Sequence, residues 1–285
     1  MILVVGATGQ LGSLITRRLL EQGRDVRILV REGSEYRALE AAGAAPVVGV
    51  LKNRESLDAA TRGVDTVLTT ANSAVRSGAD NVQSVEIEGN RNLINASAAS
   101  GVKHFIFTSA MGAAPDSPIP LMRGKGVAEQ HLKTSGVPYT ILSPNGFMEV
   151  WLPMVIGIPL QNGQPVTLVG EGNRKHTFVS SADVAAFATA AIDIPASRNQ
   201  QIFIGGPEAL SWKDLVRITS RVVGRELAIR NVTPAEGLPG IPTVVSGLMA
   251  GMDTYDTPLD MTATAQTYGV ELTPAEAVIR RLFAA

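Results

Sequence analysis

Residues 1–5, Met-Ile-Leu-Val-Val, form an apolar run leading straight into Gly6-Ala7-Thr8-Gly9-Gln10-Leu11-Gly12, three glycines spaced three apart. That order prescribes a buried β-strand, a tight turn and the first turn of a helix. Glycine in the turn permits backbone angles and close approaches that a Cβ blocks. The helix start then leaves amide N–H groups without intrahelical partners, which suits them to a phosphate. The surroundings agree, since residues 13–22 read as helix and 26–30 as a second strand, the context a dinucleotide fingerprint requires. Gly6, Thr8, Gly9, Gln10, Leu11 and Gly12 are therefore candidate cofactor residues. The alternative is a glycine-rich turn in an α/β domain that binds no nucleotide.

Strand-like and helix-like segments continue to alternate through the first half. Strands are expected at 46–50, 64–70, 104–108 and 139–142, and helices at 36–42, 54–61, 82–100 and 124–134. Such alternation means βαβ units with helices over a mostly parallel sheet. The second half is less regular, with short strands expected at 166–168, 178–179 and 201–204 and helices at 182–191 and 212–223. Ser211 is placed to cap the last of these. Residues 231–260 are rich in Gly, Pro, Met and Thr and read as a mobile or substrate-covering region. The expected division is a dinucleotide-binding core over 1–150 and a mixed region over 151–285, which adds late elements of that core and a smaller lobe.

At 285 residues the chain can bury a substantial core. Its 25 basic and 26 acidic residues give a net charge of −1, with no basic tail or stripe to suit a nucleic acid. The absence of cysteine excludes disulfides, thiolate catalysis and cysteine-ligated metal. No clustered histidine–acid spacing suggests a metal site. Apolar stretches are short or broken by Pro and Gly, so no membrane span is expected and a cytoplasmic location fits.

The end of the second strand bears on cofactor choice. An acid there holds the ribose hydroxyls of NAD, whereas an arginine receives the 2′-phosphate of NADP. The chain carries Arg31, followed by Glu32, Gly33 and Ser34, which favours NADP and leaves NAD possible through Glu32. Ser34 and Arg37 can assist Arg31, which otherwise reads as a solvated loop charge. Thr70, Ala71 and Asn72 follow a buried strand and belong near the middle of a dinucleotide. Ser109, Ala110 and Met111 follow another, on the expected nicotinamide side. Ser109 can polarise a carbonyl or simply cap its strand.

The motifs extend over nearly the whole chain: the first glycine turn, Gly101-Val102-Lys103-His104-Phe105, Lys125-Gly126-Val127-Ala128-Glu129, Gly136-Val137-Pro138-Tyr139-Thr140-Ile141-Leu142, Asp183-Val184-Ala185 and Gly205-Gly206-Pro207-Glu208-Ala209-Leu210-Ser211. With them the sequence resembles the NmrA-like group of atypical short-chain dehydrogenases/reductases. That group is similar to isoflavone and phenylcoumaran benzylic ether reductases, quinone reductases and triphenylmethane dye reductases. The resemblance implies an α/β fold, a Rossmann-type doubly wound parallel sheet with a small C-terminal substrate-binding lobe.

The resemblance also implies that Lys125 is the active-site lysine, holding the nicotinamide ribose and acting on charge or protons. Ordinary catalytic members carry a tyrosine four residues before that lysine, where this chain has Leu121. It further implies that Asn145 and Phe147 contact the cofactor. Met111, Phe147, Met148, Trp151, His176, Met249, Met252 and Tyr255 are the candidate substrate contacts, His176 also as a proton donor. The Met and aromatic positions read equally well as core. The expected activity is NADPH-dependent hydride transfer to a hydrophobic conjugated or aromatic acceptor such as a quinone, enone or dye. The alternatives are a non-catalytic NADP(H)-sensing regulator working through a protein partner, and a biosynthetic isomerase or reductase. Partners are a small hydrophobic substrate, no nucleic acid and no membrane; a monomer or a homodimer both fit.

Overall fold

In the computed structural model, residues 1–74, 78–238, 241 and 243–284 are described. The chain divides into two compact units. The first comprises Met1–Pro144 with Val184–Phe203, and the second Asn145–Asp183 with Ile204–Ala285. Where the sequence suggests a change of character near residue 150, the division falls just after the sixth strand, and a later helix and strand return to the first unit.

The first unit is built from β1 (Ile2–Val5), α1 (Gln10–Glu21), β2 (Val26–Val30), α2 (Arg37–Ala41), β3 (Ala45–Val48), α3 (Arg54–Thr61), β4 (Thr66–Thr69), α4 (Glu88–Ala99), β5 (His104–Thr108), α5 (Pro120–Thr134) and β6 (Tyr139–Pro144). Strand β8 (Gln200–Ile204) completes a seven-stranded sheet of order β3-β2-β1-β4-β5-β6-β8. The pairs from β3 through β6 are all parallel. Runs such as Ile2–Val5 and His104–Thr108 are buried throughout because helices cover both faces. Leu3, Val5, Val67, Phe105, Phe107 and Ile141 share one face and pack on Leu57, Leu93, Ile94, Ala128 and Leu132 of α3, α4 and α5. α1 buries Ile15 and Leu19, and its Arg18 Nε donates to Thr189 Oγ1 at 3.1 Å on α8 (Ser181–Asp193).

Chain order reverses between β1 and β4, so the loops after those strands flank the crevice where doubly wound sheets take ligands. Two local departures from expectation occur here. The segment expected to be one helix over 82–100 begins with a π-helical turn (Gln83–Ile87) before α4. α5 starts at Pro120, earlier than expected, because proline at a first helical position sacrifices no hydrogen bond.

The second unit holds α6 (Met148–Leu152), α7 (Ile158–Gln161), β7 (Val166–Val169), α9 (Trp212–Val223), β9 (Ile229–Val232), α10 (Thr243–Met252), α11 (Thr262–Tyr268) and α12 (Ala275–Phe283). β7 and β9 form a two-stranded parallel sheet. Leu152, Ile156, Leu168, Phe178, Trp212, Leu215, Met249, Val278 and Ile279 make its core. The expected strand at 178–179 is reduced to a bridge between Val179 and Phe147. The Gly- and Pro-rich stretch read as a covering region contains β9 and α10, and Met249 of α10 is fully buried. Residues 239, 240 and 242 of that stretch lie outside the described residues. Among the described residues, no helix is long and apolar enough to cross a membrane.

Candidate functional site

The glycine turn sits at the C-terminal edge of β1 as the spacing requires. Gly6 has φ +86°, and a Cβ there would lie 2.6 Å from Thr70 Oγ1 and 3.1 Å from the Ala71 nitrogen. A Cβ on Gly12 would lie 2.1 Å from the Gly6 carbonyl oxygen, so α1 can begin this close to the turn only without a side chain. Gly9 is the N-cap of α1, with no side-chain cap bond and no acid in the first helical turn. The free amides there favour an anion. Thr8, Gly9 and Gln10 are exposed, and Leu11 is half-buried beside buried Gly12. The Thr70 nitrogen donates to the Val5 carbonyl at 2.9 Å and its hydroxyl to the Gly6 carbonyl at 3.3 Å, which joins the β4 loop to the glycine turn. Asn72 donates to the Thr70 carbonyl and, through its own Oδ1, accepts the Ala74 amide, folding that loop on itself.

Lys125 is brought to the same edge of the sheet. Its ammonium donates to the carbonyl of Thr108, the last residue of β5, at 3.1 Å and lies 5.5 Å from the Phe107 ring centroid. Glycines on both sides let α5 come close. A Cβ on Gly124 would meet Glu86 Cβ at 2.8 Å, and one on Gly126 would meet the Ala114 carbonyl carbon at 2.3 Å. Burial pulls the Lys125 ammonium below the ordinary lysine range, while the charges of Glu86 and Glu129 act in the opposite direction.

Both of those carboxylates are buried and firmly held. Glu86 accepts from the Ser73 amide and hydroxyl. Glu129 accepts from Ser109 Oγ at 2.5 Å and from Gln201 Nε2, which also donates to Ser143 Oγ at 3.0 Å. Ser109 is thus a donor to Glu129, not an open hydroxyl at a strand end. Met111 is half-buried, its amide donating to the Pro144 carbonyl.

Arg31 stands exposed at the tip of β2 and pairs with Asp80 at 3.0 Å. Arg37, expected to assist it, instead pairs with Glu40 on its own helix at 3.1 Å.

In the second unit, Asn145 Nδ2 donates to Thr257 Oγ1 at 2.8 Å. His176 is buried. Its Nε2 donates to the Met252 carbonyl at 3.0 Å, so Nδ1 is the unprotonated nitrogen that meets the Thr257 hydroxyl at 2.7 Å. Burial holds its pKa below the ordinary imidazole value, against the Met252 carbonyl and the charges of Asp256 and Asp253. Both ring nitrogens are engaged, so the geometry gives this ring a structural role in place of the expected proton donation. Met148 and Met249 belong to the core of this unit, and Met252 packs against it. Phe147 and Trp151 are half-buried, and Trp151 lies 5.7 Å from Trp212. Tyr255 is exposed, edge-on to His176 at 5.9 Å.

The model of the NmrA-like family matches residues 1–272. The chain belongs to the NmrA-like family. It is 34% identical to the NAD(P)H azoreductase of Xenophilus azovorans over 82% of this chain and 77% of that protein. It is 32% identical to the photosystem II assembly factor Ycf39 of a Synechocystis strain, over 82% of this chain and 71% of that one. Among solved structures, an NADPH-dependent quinone oxidoreductase of Escherichia coli complexed with NADPH aligns with a TM-score of 0.85 and 25% identity, covering 99% of this chain and all of that one. The Citrobacter triphenylmethane reductase complexed with NADP(H) shares the fold, with a TM-score of 0.84 at 22% identity.

Several contacts around these residues of the NmrA-like chain escape sequence reasoning. Glu129 lies one helical turn beyond Lys125, and that four-residue spacing is a usable signal for a shared face. Glu86 and Asp80 carry no such signal, because only packing brings Glu86 to Ser73 and Asp80 to Arg31.

Proposed function

We propose that this chain is an NADPH-dependent reductase that transfers hydride to a hydrophobic conjugated or aromatic acceptor. The observation that carries this reading is a buried lysine at the same sheet edge as a glycine turn that tolerates no side chain. The turn and the uncapped α1 N-terminus fit a pyrophosphate, and Arg31 fits a 2′-phosphate. The azoreductase at 34% identity and the quinone oxidoreductase complexed with NADPH support both the cofactor and the acceptor class.

Bound reduced nicotinamide supplies the hydride. Lys125, held by the Thr108 carbonyl, orients the cofactor ribose and opposes negative charge developing on the acceptor. Glu129, through Ser109, keeps the residue after β5 in place. Leu121 occupies the helical turn before Lys125, so no tyrosine proton is invoked, and solvent or Lys125 completes protonation.

The similarity to the assembly factor, nearly equal to that of the azoreductase, favours a second reading in which a dinucleotide is bound without turnover. Calorimetry with NADPH and NADH, followed by cofactor oxidation against quinones, enones, azo dyes and triphenylmethane dyes, separates the two. Saturable oxidation dependent on one acceptor class supports the reductase. Tight binding with no oxidation across the panel supports the binding role.

A further inference from the structure

Arg31 and Lys52 converge on one carboxylate. Arg31 Nη1 lies 3.0 Å from Asp80 Oδ2, and Lys52 Nζ lies 2.7 Å from Asp80 Oδ1. Lys52 also donates to the Ala79 carbonyl at 2.6 Å. The three charges come from three places. Arg31 follows β2, Lys52 lies just beyond β3, and Asp80 belongs to the connection between β4 and α4. β2 and β3 are parallel neighbours with Val30 opposite Val48, so both cations stand at the C-terminal edge of the sheet. That is the edge on which the glycine turn lies, and the tip of β2 is where a dinucleotide fingerprint presents the ribose 2′ position.

All three side chains keep substantial exposure, 50% for Arg31, 40% for Lys52 and 28% for Asp80. Ion pairs of this kind are weakly held and exchange readily with a competing anion. A phosphate presents the same kind of oxygen acceptor with more negative charge, and arginine and lysine both bind it well.

We propose that Asp80 stands in for the cofactor's 2′-phosphate, clasped by Arg31 and Lys52 until that phosphate displaces it, and that Lys52 is the second cation of the 2′-phosphate subsite. Selectivity for a 2′-phosphorylated dinucleotide then depends on a competition within the chain. Asp80 weakens 2′-phosphate binding by occupying the two cations, leaves non-phosphorylated ribose unaffected and yields to the dianion. The inference rests on the NADPH reading of the glycine turn.

The test is calorimetry with 2′,5′-ADP and 5′-AMP, which differ only in the 2′-phosphate and require no turnover. Asp80→Asn removes the competitor and is expected to tighten 2′,5′-ADP about three- to tenfold, with 5′-AMP unchanged. Lys52→Gln is expected to weaken 2′,5′-ADP about tenfold and to spare 5′-AMP. A melting curve for each variant checks that it folds. If Asp80→Asn leaves the ratio of the two affinities unchanged, or weakens both ligands together, Asp80 is only a staple of its loop and the proposal fails. If Arg31→Ala selectively weakens 2′,5′-ADP while Lys52→Gln does not, the clasp fails and the cofactor reading survives. If the unmodified protein binds neither 2′,5′-ADP nor NADPH, both fail.

Discussion

Glu86 grips Ser73 with both carboxylate oxygens, Oε1 accepting the backbone amide at 2.7 Å and Oε2 the hydroxyl at 2.6 Å. Ser73 directly follows the loop Thr70-Ala71-Asn72, and Glu86 sits on the π-helical turn against which Gly124 packs. One buried carboxylate thus ties the β4 loop to the start of α4, and its charge also favours the protonated form of Lys125.

Glu86→Ala leaves the Ser73 amide buried without its partner and is expected to cost about 2–3 kcal/mol in chemical denaturation. Glu86→Gln keeps the shape and removes the charge, so its cost is smaller. Loss of that charge lets burial act on Lys125 with less opposition. The pH profile of single-turnover cofactor oxidation should therefore move to lower pH in Glu86→Gln. An unmoved profile with normal stability would separate Glu86 from Lys125.

Gly12→Ala places a Cβ 2.1 Å from a backbone oxygen that cannot move without distorting the turn. Dinucleotide affinity should fall at least about tenfold, since the α1 amides no longer point at one place. Gly23→Ala is the control. Its φ is +71° but nothing lies within 4 Å, so about 1 kcal/mol of backbone strain with unchanged affinity is expected.

His104 is buried with Nε2 donating to Thr140 Oγ1 at 2.8 Å, and the Thr140 hydroxyl donates in turn to the Ser197 carbonyl at 2.8 Å. Burial, with the Arg198 charge, lowers its pKa to about 4. The unfolded chain then binds the proton first, so this stability is complete above the unfolded value near 6.5 and is lost as pH falls through 4. The loss amounts to about 3 kcal/mol. Urea midpoints across that window should slope less in His104→Gln than in the unmodified protein, whatever its stability at neutral pH.

Lys125→Ala should lower single-turnover cofactor oxidation by about ten- to a hundredfold at saturating cofactor, through lost charge stabilisation. An unchanged rate with weaker cofactor binding would confine Lys125 to holding the ribose.

Ser211 caps α9 by accepting the Asp214 amide, and Asp214 accepts the Ser211 amide in return. Ser211→Ala should cost about 1 kcal/mol. Burial raises the Asp214 pKa, yet Lys175 and Ser211 outweigh it and hold the carboxyl at about 2. The stability it adds is present above the ordinary aspartate range and lost as pH falls towards 2, a dependence Asp214→Asn should remove.

The first unit was the more legible of the two. Its central strands β1, β4 and β5 are buried on both faces, so each reads as a largely apolar run bounded by turn residues, and α3 and β5 fall where the pattern puts them. In the second unit α9 falls at 212–223, where its one-sided apolar pattern puts it, but α10 is apolar nearly all round and shows no such stripe, so the sequence reads it as part of a covering region; residues 178–179, expected as a strand, form only a bridge. The same weakness affected its side chains. Met148 and Met249 suit a pocket or a core equally well by type, and their burial alone assigns them to the core.

The sequence by itself determined the β1–turn–α1 unit and the parallel sheet, because each rests on local spacing and backbone stereochemistry, whereas Lys125 stood out only through the family resemblance. The tertiary structure alone decided which charges meet: Glu86 with Ser73, Glu129 with Ser109, and Arg31 and Lys52 with Asp80. The partners in these pairings stand from 13 to 49 residues apart, or 28 for Lys52 and Asp80, and Coulomb and hydrogen-bond energies depend on distance in space. Nothing in the local order of residues encodes that distance until the sheet has brought the loops together.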